Sequence, residues 1–143
     1  MISVYNRQKD LKICKSSVRA LVKATLLYLE IPFQEISVYF VTKEHIANLH
    51  HQYFHDPSPT DCISFPLDDT HLGEVFVCPY IAKEYAKKGR LDPYRETMLY
   101  IVHSILHLMG WDDLEEKERR AMRKKEKSCM RNLDELRLTL KAS

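Results

Sequence analysis

Apolar and polar residues alternate from Ile2 to Tyr5, the pattern of a short strand whose side chains point to opposite faces. From Leu11 to Leu29 the period lengthens. Cys14, Val18, Leu21, Thr25 and Leu29 recur at spacings of three and four, which predicts a helix with Asp10 as its N-cap. Ile31-Pro32 ends it, because proline cannot continue a helix and restricts the residue before it. Glu35 to Val41 is rich in β-branched and aromatic residues and predicts a second strand. Thr42 then caps a helix from Lys43 to about Tyr53, with Ile46 and Leu49 on its apolar side.

His55 to Asp61 carries two prolines and predicts an ordered loop. Cys62 to Leu67 and Leu72 to Cys78 predict two more strands, joined as a hairpin by a turn at Asp68 to His71. Pro66 marks the end or edge of the first of them. Pro79 begins a helix that runs to about Lys88 and ends near Gly89. Asp92-Pro93 is a strong helix start, and the segment to Met109 is apolar nearly all round, as expected of a central helix. From about Leu114 a long charged helix follows, with Leu114, Ala121, Met122, Cys129 and Leu136 as its sparse apolar side. The order β-α-β-α-β-β-α-α-α predicts an α+β fold: one domain over residues 1–143, with a four-stranded mixed sheet packed by about five helices.

Composition narrows the classes. A chain of 143 residues, 45% hydrophobic and 29% charged, is ordinary for one globular domain. The net charge of +2 excludes wholesale electrostatic binding of nucleic acid, so any basic surface must be local. The four cysteines form no C-x-x-C pair, and no leader precedes the first strand. Reduced thiols in a cytoplasmic protein are therefore expected. No apolar run is long enough to span a bilayer, and no membrane association is expected.

The chemistry concentrates in His103-Ser104-Ile105-Leu106-His107-Leu108-Met109-Gly110-Trp111-Asp112-Asp113. Histidines at i and i+4 share one helix face, and here they interrupt a buried apolar helix, where an uncompensated imidazole is costly. Gly110 can take the left-handed conformation that stops a helix and returns Asp113 toward the two rings. His103, His107 and Asp113 are thus the expected catalytic metal centre, with a coordination position left open. Two imidazoles and one carboxylate suit one divalent ion, zinc or one of several other divalent metals. The H-E-x-x-H peptidases carry a general-base glutamate after the first histidine; here that residue is Ser104, which argues against peptidase chemistry.

The same stretch resembles the signature H-G-x-L-H-L-x-G-Y-D-H of the YbeY endoribonuclease family. Pro59 to Pro66 is similar to that family's P-T-D-V-L-S-F-P block, and Leu72 to Cys78 to its L-G-D-I-x-I-C block. The resemblance implies a metal-dependent endoribonuclease specific for single-stranded RNA. Its expected work is ribosomal RNA processing, notably at the small-subunit 3′ end, and ribosome quality control. Ribosomal or small-subunit proteins are the implied partners, and DNA is not an expected substrate. Three histidines hold the family's metal; Asp113 stands in the third position and adds negative charge. The family also has a Tyr-Arg pair before the P-T-D block, where this chain has Tyr53-Phe54. That missing arginine leaves an alternative open, a ribosome-associated binding module with a structural metal.

Other candidates weigh less. Thr60 and Asp61 either shape the pocket or cap their loop, and Ser64 and Phe65 read as strand residues. His45, His50, His51, His55 and His71 are expected on surfaces or loops, with His50, His51 and His55 near the cleft. The basic residues from Arg119 to Lys127 alternate with glutamates and read as a solvated helix face, although RNA contact through that side stays open.

Overall fold

The computed structural model describes residues 1–32 and 35–143. Four strands, β1 (Ile2–Asn6), β2 (Glu35–Phe40), β3 (Cys62–Pro66) and β4 (His71–Val77), form one sheet in the order β1-β2-β4-β3. β1 and β4 both run parallel to β2, whereas β3 returns antiparallel to β4 as the expected hairpin. Five helices complete the small mixed-sheet domain: α1 (Lys15–Tyr28), α2 (Lys43–Phe54), α3 (Pro79–Gly89), α4 (Pro93–Leu108) and α5 (Glu116–Glu135). Among the described residues, no helix is long and apolar enough to cross a membrane.

Strand alternation divides the core. Val4, Ile36, Val38, Phe40, Val75 and Val77 point to one face and pack with α1, α4 and α5. Ile63 and Phe65 lie on the other face, in a smaller cluster with Ile46 and Leu49 of α2. α4 buries Met98, Ile101, Val102, Ile105 and Leu106 and touches β3, β4, α3 and α5. Its start follows expectation, with the Asp92 carboxylate accepting from the Tyr94 N–H at 2.9 Å.

Two helices depart from the pattern reading. α1 begins at Lys15, and Asp10 does not cap it. The Gln8 side chain instead ties up the segment before it, accepting from the Leu11 N–H at 3.0 Å and donating to the Leu11 carbonyl at 2.8 Å. The Cys14 N–H donates to the Lys141 carbonyl at 2.8 Å, so Leu11 and Ile13 are buried without being helical. α5 begins after Leu114, which is 78% exposed, and its inner side is Met122, Cys129, Met130 and Leu133. Ala121 and Leu136 face solvent.

Candidate metal centre

The end of α4 explains how the three expected ligands meet. Gly110 adopts φ +92°, outside the range of ordinary L residues, and the Trp111 N–H reaches back to the Leu106 carbonyl at 3.0 Å. The Asp112 carboxylate then accepts from the N–H groups of Asp113 and Leu114, at 2.6 and 3.0 Å. This aspartate-capped turn fixes Asp113 opposite the last turns of α4. His103 Nε2 and His107 Nε2 lie 3.0 Å apart, and Asp113 Oδ2 lies 3.4 and 3.5 Å from them. Tetrahedral zinc with bonds of about 2.0–2.1 Å separates its ligand atoms by about 3.4 Å. The triangle of side-chain atoms therefore fits such an ion without rearrangement of the backbone.

A fourth residue supports the trio. His103 Nδ1 is hydrogen-bonded to Glu126 Oε2, and the Glu126 side chain is only 13% exposed. With its Nδ1 proton held by a carboxylate, a neutral His103 presents the Nε2 lone pair to the trio. Burial disfavours the charged ring, yet Glu126 above all, then Asp113 and Asp61, hold its pKa above the ordinary imidazole value. Glu126 was legible only as part of a solvated charged face. The available signal was its position four residues after Met122 and four before Met130, within the buried stripe of α5.

Two clefts meet at the trio. One, of about 430 Å³, is bordered by His50, Phe54 and Pro66 as well as His103, His107 and Asp113. The other, of about 530 Å³, has Arg119, Arg123 and Glu126 in its wall and shares His103 and Asp113. Thr60 and Asp61 line both, and Asp61 also accepts from the Cys62 N–H at 2.8 Å, so it shapes the pocket and ties its loop. The Ser64 hydroxyl donates to the Ser104 carbonyl at 2.9 Å, which joins β3 to the helix that carries the histidines. Ser104 itself is fully buried beside the Cys62 thiol, so its side chain faces away from the clefts. Burial and the neighbouring Asp61 charge push that thiol pKa well up. Of the other histidines, His50 lines the cleft, whereas His51, His55 and His71 are exposed.

The sequence model of one family, described as Endoribonuclease YbeY, matches residues 3–134. An Endoribonuclease YbeY from Protochlamydia amoebophila is 45% identical over 99% of this chain and 98% of its own length. The chain belongs to the YbeY endoribonuclease family. A second YbeY protein, from Chlamydia felis, is 37% identical over 90% of this chain and 88% of its own. Among solved structures, the solution structure of TM1509 from Thermotoga maritima superposes with a TM-score of 0.69 at 28% identity. That match covers 96% of this chain and 92% of TM1509. The YbeY membership thus extends over the sheet, both clefts and the His103–Asp113 segment.

Proposed function

We propose that residues 1–143 act as one metallohydrolase domain that cleaves single-stranded RNA, with His103, His107 and Asp113 holding a divalent ion. The observation that carries this reading is the triangle of ligand atoms with edges of 3.0, 3.4 and 3.5 Å, at the junction of two clefts. Two imidazoles and a carboxylate favour zinc. When bound, the ion supplies positive charge beside the scissile phosphate and lowers the pKa of water toward neutrality. The protein's own part is positional. Glu126 holds the His103 tautomer, the Asp112 turn holds Asp113, and Ser64 fixes α4 against β3. Arg119 and Arg123 offer cations to the RNA backbone on one side of the trio.

The setting we propose is ribosomal RNA processing at the small-subunit 3′ end and ribosome quality control, in the cytoplasm; membership of an endoribonuclease family supports the RNA-processing part of it. Ribosomal proteins are the partners in this setting, and neither DNA nor a membrane has a part. Chelation should abolish cleavage of an unstructured RNA, and zinc should restore it. His107→Ala should lower cleavage by more than the roughly 10–100-fold typical of losing a supporting hydrogen bond. Cleavage that survives both chelation and His107→Ala overturns the reading.

One observation favours a second reading, a ribosome-associated binding module with a structural metal. No lysine or arginine occurs among the described residues lining the cleft beside Phe54. That reading predicts that His103→Ala lowers thermal stability in step with any functional loss and that the metal-loaded protein cuts no RNA.

A further inference from the structure

Phe54 is 54% exposed and borders the cleft that ends at His103, His107 and Asp113. A phenylalanine this exposed adds little to the core, yet it is held in place with some care. It is the last residue of α2, and His55 behind it takes a left-handed φ of 58°, which stops the helix. His50, one helical turn earlier, donates from Nδ1 to the Ser58 carbonyl at 2.8 Å. Asp56 accepts from the Ser58 N–H at 2.9 Å. The helix end and the loop leading to Thr60 and Asp61 therefore form one tied wall. The His50 ring meets Phe54 at 5.8 Å and 55°, tilted and not stacked over it.

The two clefts differ in what they offer a polynucleotide. Arg119 and Arg123 stand on the far side of the trio, where phosphates can be neutralised. On the near side the lining holds no lysine or arginine among the described residues, but it offers an exposed aromatic ring with Ile63 and Pro66. An aromatic ring in a cleft whose only full charges, among the described residues, are the Asp61 and Asp113 carboxylates recognises the flat face of a base, not the charge of a phosphate. We propose that Phe54, held by His50, is a stacking subsite for one unpaired nucleobase of the RNA whose phosphate lies at the trio. This rests on the endoribonuclease reading. A base stacked on Phe54 is withdrawn from any duplex, so the subsite selects single-stranded substrate at the point of cleavage.

The test uses the full chain and a short unstructured RNA carrying 2-aminopurine. Binding is measured in chelator, where cleavage plays no part, and KM and kcat are measured separately with zinc. Phe54→Ala should weaken binding by roughly 5- to 100-fold, raise KM and abolish quenching of the 2-aminopurine. Phe54→Trp should retain affinity, with its new indole emission quenched by the RNA. Removing the base by an abasic substitution should reduce binding to the wild type but not to Phe54→Ala. Equal affinity and equal quenching in wild type and Phe54→Ala overturn the proposal. Base-dependent binding without any cleavage by the zinc-loaded wild type overturns the nuclease reading and leaves the subsite standing.

Discussion

His103 touches the trio through one ring nitrogen and Glu126 through the other, so the carboxylate controls both the ring's tautomer and its orientation. Glu126→Gln keeps a hydrogen-bond acceptor and removes the charge; Glu126→Ala removes both. Zinc affinity, measured by competition with a chromophoric chelator, should fall by about 10–100-fold for Glu126→Ala and by less for Glu126→Gln. An unchanged affinity in both variants would show that Glu126 does not support the centre. The same pair sets a pH dependence in the metal-free protein. Glu126 and its acidic neighbours raise the His103 pKa above the ordinary imidazole value against the opposing effect of burial. A raised folded-state pKa stabilises the fold fully below the unfolded value of about 6.5, and that contribution is lost as pH rises through the folded value. Urea denaturation in chelator should therefore show this contribution falling away as pH rises from about 6.5 through the raised folded-state value, with a shallower decline in Glu126→Gln. Zinc affinity should climb across the same window, because the metal competes with the proton.

At the scale of elements, the β3–β4 hairpin and the end of α4 depend on one small residue. A Cβ at Gly73 would stand 2.6 Å from Leu108 Cδ2 and 2.6 Å from the Phe65 carbonyl oxygen. Leu108 follows His107 directly, so a shift of the α4 end that relieves the contact would carry the histidine with it. Gly→Ala at an unstrained site gains about 0.4–1 kcal/mol through the unfolded chain, whereas overpacking costs about 1–3 kcal/mol. The second effect is the larger, and Gly73→Ala should lower both stability in urea and zinc affinity. Loss of stability with full zinc affinity would separate the hairpin from the centre. Sequence pattern located Gly73 in a strand but could not show what crosses above it. The same limit explains the misplaced helix ends. The hairpin, the α4 cap and the Gly110 turn are local in sequence, and each was legible; the sheet order, which sets β2 beside β4, rests on distant pairing and was not. The start of α1 depends on Gln8 and on a carbonyl at Lys141, and the inner face of α5 depends on where that helix leaves the chain. His103, His107 and Asp113 lie within eleven residues and could be grouped by spacing, whereas Glu126 arrives from another helix.

On the scale of the molecule, the trio adds a polar tie between α4, the turn after it and α5, elements that already share one core. α4 supplies His103 and His107, the turn after Gly110 supplies Asp113, and α5 enters through Glu126. An ion held there bridges helix and turn directly and braces α5 through the His103 ring, so it should stabilise the folded chain as a unit. Free zinc at about 100 times its dissociation constant adds about 2.7 kcal/mol if the unfolded chain binds none. For a domain of this size that corresponds to a rise of roughly 8–11 °C in Tm. Four free cysteines offer zinc alternative ligands once the chain unfolds, which makes the full rise an upper value. His107→Ala supplies the needed contrast, since it keeps all four cysteines and loses one ligand. Thermal scans should show a zinc-dependent rise in the wild type that is mostly lost in His107→Ala. Hydrogen exchange should slow on zinc addition in the last turns of α4, the segment around Asp112 and Asp113, and the middle of α5. If Tm rises equally in both proteins, the stabilising zinc lies elsewhere. If exchange slows only around the cysteines, it lies there, and the His103–Asp113 segment is then a polar cluster without a metal.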